Sequence, residues 1–79
     1  MIATKETLAA SIANALAKVD GNVTMYRLST IASELTGKRV REQQFYNYRK
    51  NGLIKGTVDG KLTKADATTF LTKFVGKRI

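Results

Sequence analysis

The side chains with the most evident chemistry lie in one stretch between residues 38 and 61. The amides of Gln43 and Asn47 are four residues apart and so fall on one side of a helix. Each has the paired donor and acceptor that can bind an adenine edge. Cations surround them: Lys38, Arg39, Arg41, Arg49, Lys50, Lys55 and Lys61. With only Glu42 and Asp59 opposed to them, the stretch carries +5 of a formal net charge of +8, which favours contact with phosphates.

The residue types that are missing narrow the chemistry further. The 79-residue chain contains no His and no Cys, so disulfides and the usual His/Cys sites for zinc, haem or iron–sulfur clusters are excluded. Without His there is no imidazole base for Ser-His-Asp or Cys-His catalysis. We therefore expect a protein that is not an enzyme and that uses no metal or cofactor. The basic excess favours an acidic partner, which is a nucleic acid, an anionic lipid or an acidic protein.

Apolar residues at helical spacing predict the elements that position these side chains. Helices are expected over about residues 5–19, 25–35, 41–50 and 64–75. Thr4, Thr24 and Thr63 stand where N-cap residues belong, and the stretch from Thr63 to Asp66 resembles a capping box. Glycines are expected to end the helices: Gly21, Gly37, Gly52 and Gly76.

The two sides of the helix at 41–50 differ in character. At 100° per residue, Phe45 and Tyr48 fall on the side that is expected to face the core. The outward side holds four polar residues: Gln43, Tyr46, Asn47 and Lys50. Phe70 and Phe74 of the last helix are also expected in the core, with a contact to a second copy of the chain as the alternative.

Residues 53–63 are predicted to form a small β-hairpin. Asp59-Gly60 is typical of a two-residue type I′ turn, which needs positive φ at both positions. The apolar residues of this segment are Leu53, Ile54, Val58 and Leu62. Two short strands are unstable alone, so the hairpin must pack on the helices. We therefore predict a single, mainly α domain over residues 1–79, with the element order of a winged helix-turn-helix.

Two stretches resemble known helix-turn-helix proteins. Ile31-Ala32-Ser33-Glu34-Leu35-Thr36-Gly37 looks like the first helix and turn of such proteins, with Thr36 and residues 38–40 lengthening the connection. Phe45-Tyr46-Asn47-Tyr48-Arg49-Lys50-Asn51-Gly52-Leu53-Ile54 resembles the end of the recognition helix in the MerR family and in related phage excisionases. Arg41-Glu42 replaces the Ser-Pro that usually opens that helix, and the long dimerisation coiled coil of MerR regulators is absent.

The resemblance implies a protein that binds double-stranded DNA, with helix 41–50 in the major groove and hairpin 53–63 along the backbone. We predict contacts to DNA from Lys38, Arg39, Arg41, Gln43, Gln44, Tyr46, Asn47, Arg49, Lys50, Lys55 and Lys61. A phage, plasmid or prokaryotic regulator or architectural factor is expected, in the cytoplasm, with no membrane span and no small-molecule effector. One module makes few base contacts, so a homodimer or a cooperative array on DNA is expected.

Two other functions stay open at the level of sequence. The same cations suit RNA, or a nucleic acid bound without sequence preference, although the chain lacks the paired exposed aromatics on a sheet that many RNA-recognition surfaces use. A small interaction module that binds an acidic protein is consistent with size and charge alone.

Overall fold

The computed structural model describes residues 3–54 and 59–79. In these residues the chain forms four α-helices: α1 (Leu8–Ala17), α2 (Met25–Thr36), α3 (Glu42–Lys50) and α4 (Lys64–Gly76). Each one begins and ends within three residues of a helix predicted from the apolar spacing. The longest, α4, has 13 residues. No helix in this part of the chain is both long and apolar enough to cross a membrane.

Helix α1 begins at Leu8, about three residues later than predicted, because Thr4 and Thr7 close a separate turn before it. The Thr7 N–H donates to the Thr4 carbonyl at 3.2 Å, a spacing typical of a 3₁₀ turn. The side chains reinforce this turn, because Thr7 Oγ1 accepts from the Thr4 N–H at 2.9 Å and Thr4 Oγ1 accepts from the Thr7 N–H at 3.3 Å. Bonds of α-helical spacing begin only with Ser11, whose N–H donates to the Thr7 carbonyl at 2.8 Å.

The N-caps predicted for α2 and α4 are confirmed. Thr24 Oγ1 accepts from the Arg27 N–H at 3.1 Å, and Thr63 Oγ1 accepts from the Asp66 N–H at 3.2 Å. Each bond pairs an N–H group that a helix start leaves without a partner in the helix. At the other end of α2, Gly37 takes a φ of 72°, a left-handed conformation that glycine adopts without steric cost, and it stops the helix where predicted.

Buried apolar side chains from all four helices form one core. The largest fully buried side chains are Phe45, Ile12, Met25, Leu28, Leu62, Leu71, Val23 and Val75. The predicted apolar stripes of the helices are confirmed, although Ala15, Tyr48 and Phe70 are only partly buried at the edge of the core. Burial of this apolar surface is the main favourable term in folding, so the core determines which side of each helix faces solvent.

The predicted winged helix-turn-helix with a hairpin at 53–63 is wrong, because residues 3–54 and 59–79 form four helices and no β-strand. Leu53 and Ile54, which begin the expected hairpin, instead form the C-terminal cap of α3. The N–H groups of Leu53 and Ile54 both donate to the Tyr48 carbonyl, at 2.8 and 3.3 Å, and are thereby taken from any strand pairing. The middle of the expected hairpin, residues 55–58 with Val58, lies outside the described residues.

The second limb of the expected hairpin meets the segment between α1 and α2. Val23 and Leu62 exchange both main-chain hydrogen bonds, at 2.6 and 2.8 Å, as an isolated antiparallel bridge. Both side chains are fully buried. The turn before Leu62 has the predicted conformation, with φ of 52° at Asp59 and 75° at Gly60. The turn residues were therefore predicted correctly, whereas the pairing of Leu62 with Val23 was not predicted.

Candidate nucleic-acid interface

Two hydroxyls near the end of α2 hold the connection that leads into α3. Ser33 Oγ accepts from the Val40 N–H at 2.8 Å. The buried Thr36 hydroxyl accepts from the Lys38 N–H at 3.3 Å. Residues 37–41 are therefore tied to α2 at two points, although this connection is longer than the usual turn of a helix-turn-helix protein.

The inner side of α3 is fixed by aromatic packing against α4. Phe45 is completely buried. Its ring lies 5.3 Å from the ring of Phe70 and 5.1 Å from the ring of Phe74, in both cases edge to face. This arrangement is favourable for aromatic pairs because the positive edge of one ring meets the negative face of the other. With this side held in the core, the opposite side of α3 faces solvent.

The outward side of α3 is the polar one predicted from the sequence. Its four side chains are all exposed: Gln43, Tyr46, Asn47 and Lys50. Gln43 Nε2 donates to Asn47 Oδ1 at 3.4 Å, so the two amides lie side by side along the helix. The structure thus brings together the two amides that were predicted to contact base edges.

Tyr46 lies between an acid and a cation on this surface. Its hydroxyl donates to Glu42 Oε1 at 3.3 Å. The guanidinium carbon of Arg49 is 5.5 Å from the centre of its ring, within the range of a cation–π contact. At 39% exposure, the ring of Tyr46 remains accessible from solvent.

Two of the predicted contact residues do not lie beside Gln43 and Asn47. Gln44 is half-buried, and its amide donates to the Tyr48 hydroxyl at 2.7 Å, on the side of α3 that faces the core. Arg49 lies against the turn at Gly60, where a Cβ built on the glycine would be 3.0 Å from a guanidinium nitrogen. The structure therefore does not place Gln44 with Gln43 and Asn47, and it places Arg49 at the edge of the outward side.

Exposed cations are found before and after α3. Lys38, Arg39 and Arg41 are exposed in the connection that precedes the helix. Lys50 is exposed at its last residue, and Lys61 is exposed immediately after the Gly60 turn that Arg49 contacts. The predicted contact residue Lys55 lies outside the described residues.

A shallow groove between α2 and the connection joins this surface. Arg39 and Arg41 line it together with the acids Glu34 and Glu42, which offset part of the positive charge there. Tyr26, in the first turn of α2, forms another part of its wall and is 67% exposed. The groove is therefore less basic than the run of cations in the sequence suggests.

Two residues of this region were missed by the sequence analysis. Tyr26 precedes the basic stretch, so charge does not point to it, but it lies off the apolar stripe of α2, and this position predicts exposure to solvent. In the sequence, Ser33 stands out only as part of the stretch that resembles helix-turn-helix proteins. Its role in holding Val40 depends on the path of the connection, which no local pattern reveals.

Residues 3–54 and 59–79 thus form a small all-α protein of four helices with a polar, basic surface on the third. In that part of the chain, no three His, Cys, Asp or Glu side chains are grouped so that they could hold a metal ion. Comparison with protein-family models, curated proteins and solved structures gives no match. The function therefore has to be inferred from the surface of α3 itself.

Proposed function

We propose that this protein binds double-stranded DNA by placing α3 in the major groove. The observation that carries the proposal is the contrast between the two sides of α3. Phe45 is completely buried on one side, whereas Gln43, Asn47 and Lys50 are exposed on the other. A helix held firmly from one side can present base-reading groups from the other, as recognition helices do.

The dimensions of α3 suit the major groove. The helix has nine residues, which gives a length of about 13 Å at about 1.5 Å per residue. The major groove of B-DNA is about 12 Å wide and admits an α-helix with its side chains. A helix of this length can reach the edges of three or four base pairs from its central turns.

The amide pair suits adenine. The bond between Gln43 and Asn47 uses one Gln43 donor and the Asn47 carbonyl. The Gln43 carbonyl and the Asn47 amino group then provide an acceptor and a donor. Adenine presents the complementary pair in the major groove, with an amino donor at N6 and an acceptor at N7. We therefore expect A·T pairs opposite the centre of α3.

The cations around α3 suit the phosphates that border the groove. Arg39 and Arg41 precede the helix, and Lys61 follows the turn that contacts the end of the helix through Arg49. Positive charge at both ends of α3 favours contact with both strands. Because one such module reads few bases, we expect useful sequence specificity only from a homodimer or a cooperative array.

Binding of a mixed-sequence duplex at several salt concentrations tests the phosphate contacts. Four or five contacts predict a slope of about −4 for log K against log salt, at about 0.9 per phosphate. Fluorescence anisotropy with a labelled duplex measures it. A slope near zero contradicts the proposal. Competition by unlabelled RNA as effective as competition by duplex DNA favours RNA as the partner instead.

Sequence preference needs a separate experiment, with duplexes selected from a randomised pool. The double variant Gln43→Ala and Asn47→Ala is expected to lose about tenfold in preference for the selected duplex over the mixed one, because each good bidentate contact is worth about 1–3 kcal/mol. Its salt slope should not change. Asn14→Ala, which removes an exposed amide from α1, is the matched control. An unchanged preference in the double variant means that these amides do not read bases.

A further inference from the structure

A second accessible surface lies between the end of α3 and α4. Leu53 is 65% exposed, and other apolar side chains of the described residues adjoin it, so it belongs to an exposed apolar patch. Two adjoining grooves share Leu53, Phe70 and Lys73 as walls. We call them together the Leu53–Phe70 groove. Tyr48 is the residue of α3 that lines this groove, and it faces α4. The four outward side chains of α3, Gln43, Tyr46, Asn47 and Lys50, do not line it.

The floor of the Leu53–Phe70 groove is apolar. Phe70 and Tyr48 are only partly buried, with their rings 6.2 Å apart. The ring of Phe70 also stacks on the ring of Phe74, with centres 5.5 Å apart. The exposed parts of these rings and Leu53 form an apolar strip that nothing in the described residues covers.

Cations border this strip. Lys73 is exposed on α4 beside it, and Lys77 is exposed immediately after the end of α4. Arg78 lies 3.7 Å above the centre of the Phe74 ring and donates to the Phe74 carbonyl at 3.0 Å, which holds its charge at the same edge. Asp66 is the acid that lines the groove, at the end away from Arg78.

We propose that the Leu53–Phe70 groove binds an acidic amphipathic segment of a partner protein. Apolar side chains of that segment cover Leu53 and Phe70, and its carboxylates pair with Lys73 and Lys77. Along the end of α4 and its C-cap, wall residues recur every three or four positions from Phe70 to Lys77, so the groove follows about two helical turns, or about 10 Å. A short helix fits this length.

Charge distinguishes this occupant from a second copy of the chain. A two-fold contact through the same surface brings two net-positive surfaces together, each with Lys73, Lys77 and Arg78 against the one acid among its described residues, Asp66, which is repulsive overall. The shape of the surface disfavours single-stranded nucleic acid, since bases stack on open ring faces. Here Arg78 covers one face of Phe74, and the most exposed wall is the aliphatic Leu53.

Two designed peptides test the proposal against the isotopically labelled full chain. Both carry Leu and Phe at i, i+3, i+4 and i+7, with Glu at the other positions in one and Lys in the other. The Glu peptide is expected to shift the amide resonances of Leu53, Phe70 and Lys73 to saturation, at least about tenfold more tightly than the Lys peptide. If the Glu peptide shifts nothing, or shifts only the outward residues of α3, the proposal is wrong.

Charge reversal provides the sharper control. The double variant Lys73→Glu and Lys77→Glu is expected to prefer the Lys peptide, and Leu53→Ser is expected to bind the Glu peptide about tenfold more weakly. These side chains are exposed, so circular dichroism should show an unchanged fold. Leu53→Ser should bind duplex DNA like the unmodified chain, so this test can fail without affecting the proposed DNA binding.

Two other results also overturn the docking proposal. Shifts of Leu53 and Phe70 that grow with protein concentration, without any peptide, identify a second copy as the occupant. Displacement of the Glu peptide by oligothymidylate, with shifts at the same residues, identifies a nucleic-acid surface.

Discussion

At the scale of single residues, the surface of α3 carries amides and cations that favour the proposed contact with DNA and one carboxylate, Glu42, that disfavours it. Glu42 is in the first turn of α3, where a negative charge is favourable to the helix dipole. It also accepts the Tyr46 hydroxyl at 3.3 Å and lines the same groove as Arg39 and Arg41. A carboxylate at this place repels phosphates, so Glu42 supports the helix but opposes the DNA binding that we propose.

Removal of that charge should therefore strengthen DNA binding. We expect Glu42→Gln to bind a mixed-sequence duplex about threefold more tightly at low salt, with the gain disappearing as salt screens the charge. Anisotropy titrations at two salt concentrations measure the effect. Glu6→Gln removes the same charge outside residues 38–61 and is the control. Equal gains in both variants would show that only net charge matters.

At the scale of elements, the direction of α3 depends on how the connection from α2 is held. Ser33 Oγ accepts from the Val40 N–H at 2.8 Å, and Thr36 accepts from the Lys38 N–H. These bonds hold the connection between α2 and α3 to the end of α2 at two points. At its other end, α3 finishes with Gly52 at a φ of 79° and with Leu53 donating to the Tyr48 carbonyl, a Schellman arrangement.

Loss of the Ser33 hydroxyl tests the role of the connection. Ser33→Ala leaves the Val40 N–H without its partner, and we expect a loss of about 1–2 kcal/mol in the free energy of unfolding. Faster hydrogen exchange at Val40 and weaker DNA binding should accompany it. Ser11→Ala, on α1, is the matched control. Unchanged exchange at Val40 would show that the connection is held by other contacts.

At the scale of the whole molecule, the core and the α3 surface are joined through Phe45. Its ring contacts Tyr48, Phe70 and Phe74, with centres 5.1 to 6.1 Å from its own. The next residue, Tyr46, lies about 100° further round the helix and is exposed. Stability and binding are therefore separable at two adjacent positions of one helix.

Substitution of these neighbours should produce opposite defects. Phe45→Ala is expected to cost about 3–5 kcal/mol, which is comparable to the about 3–5 kcal/mol that a core of this size supplies. This variant should be largely unfolded by circular dichroism. Tyr46→Ala should unfold near the temperature of the unmodified chain and bind DNA more weakly. A folded Phe45→Ala variant, or a Tyr46→Ala variant with unchanged binding, contradicts this division.

Much of the local structure could be read from the sequence. Apolar residues repeated every three or four positions predicted all four helices, because one side of each must be buried. Threonine hydroxyls marked the starts of α2 and α4, and Asp59-Gly60 marked a turn of positive φ. The exposed amides of α3 followed from the same periodicity. These features depend on residues at most four positions apart.

Only the tertiary structure decided which groups that are distant in sequence contact each other. Leu62 pairs with Val23, which lies far from it in the sequence, and both side chains are buried in the same core. Gln44 turns towards Tyr48, and Leu53 stays exposed beside α4. Local spacing shows which side of an element is apolar. Which elements pack against that side depends on the free energy of burying the apolar surface of the whole chain, so it cannot be read from one segment.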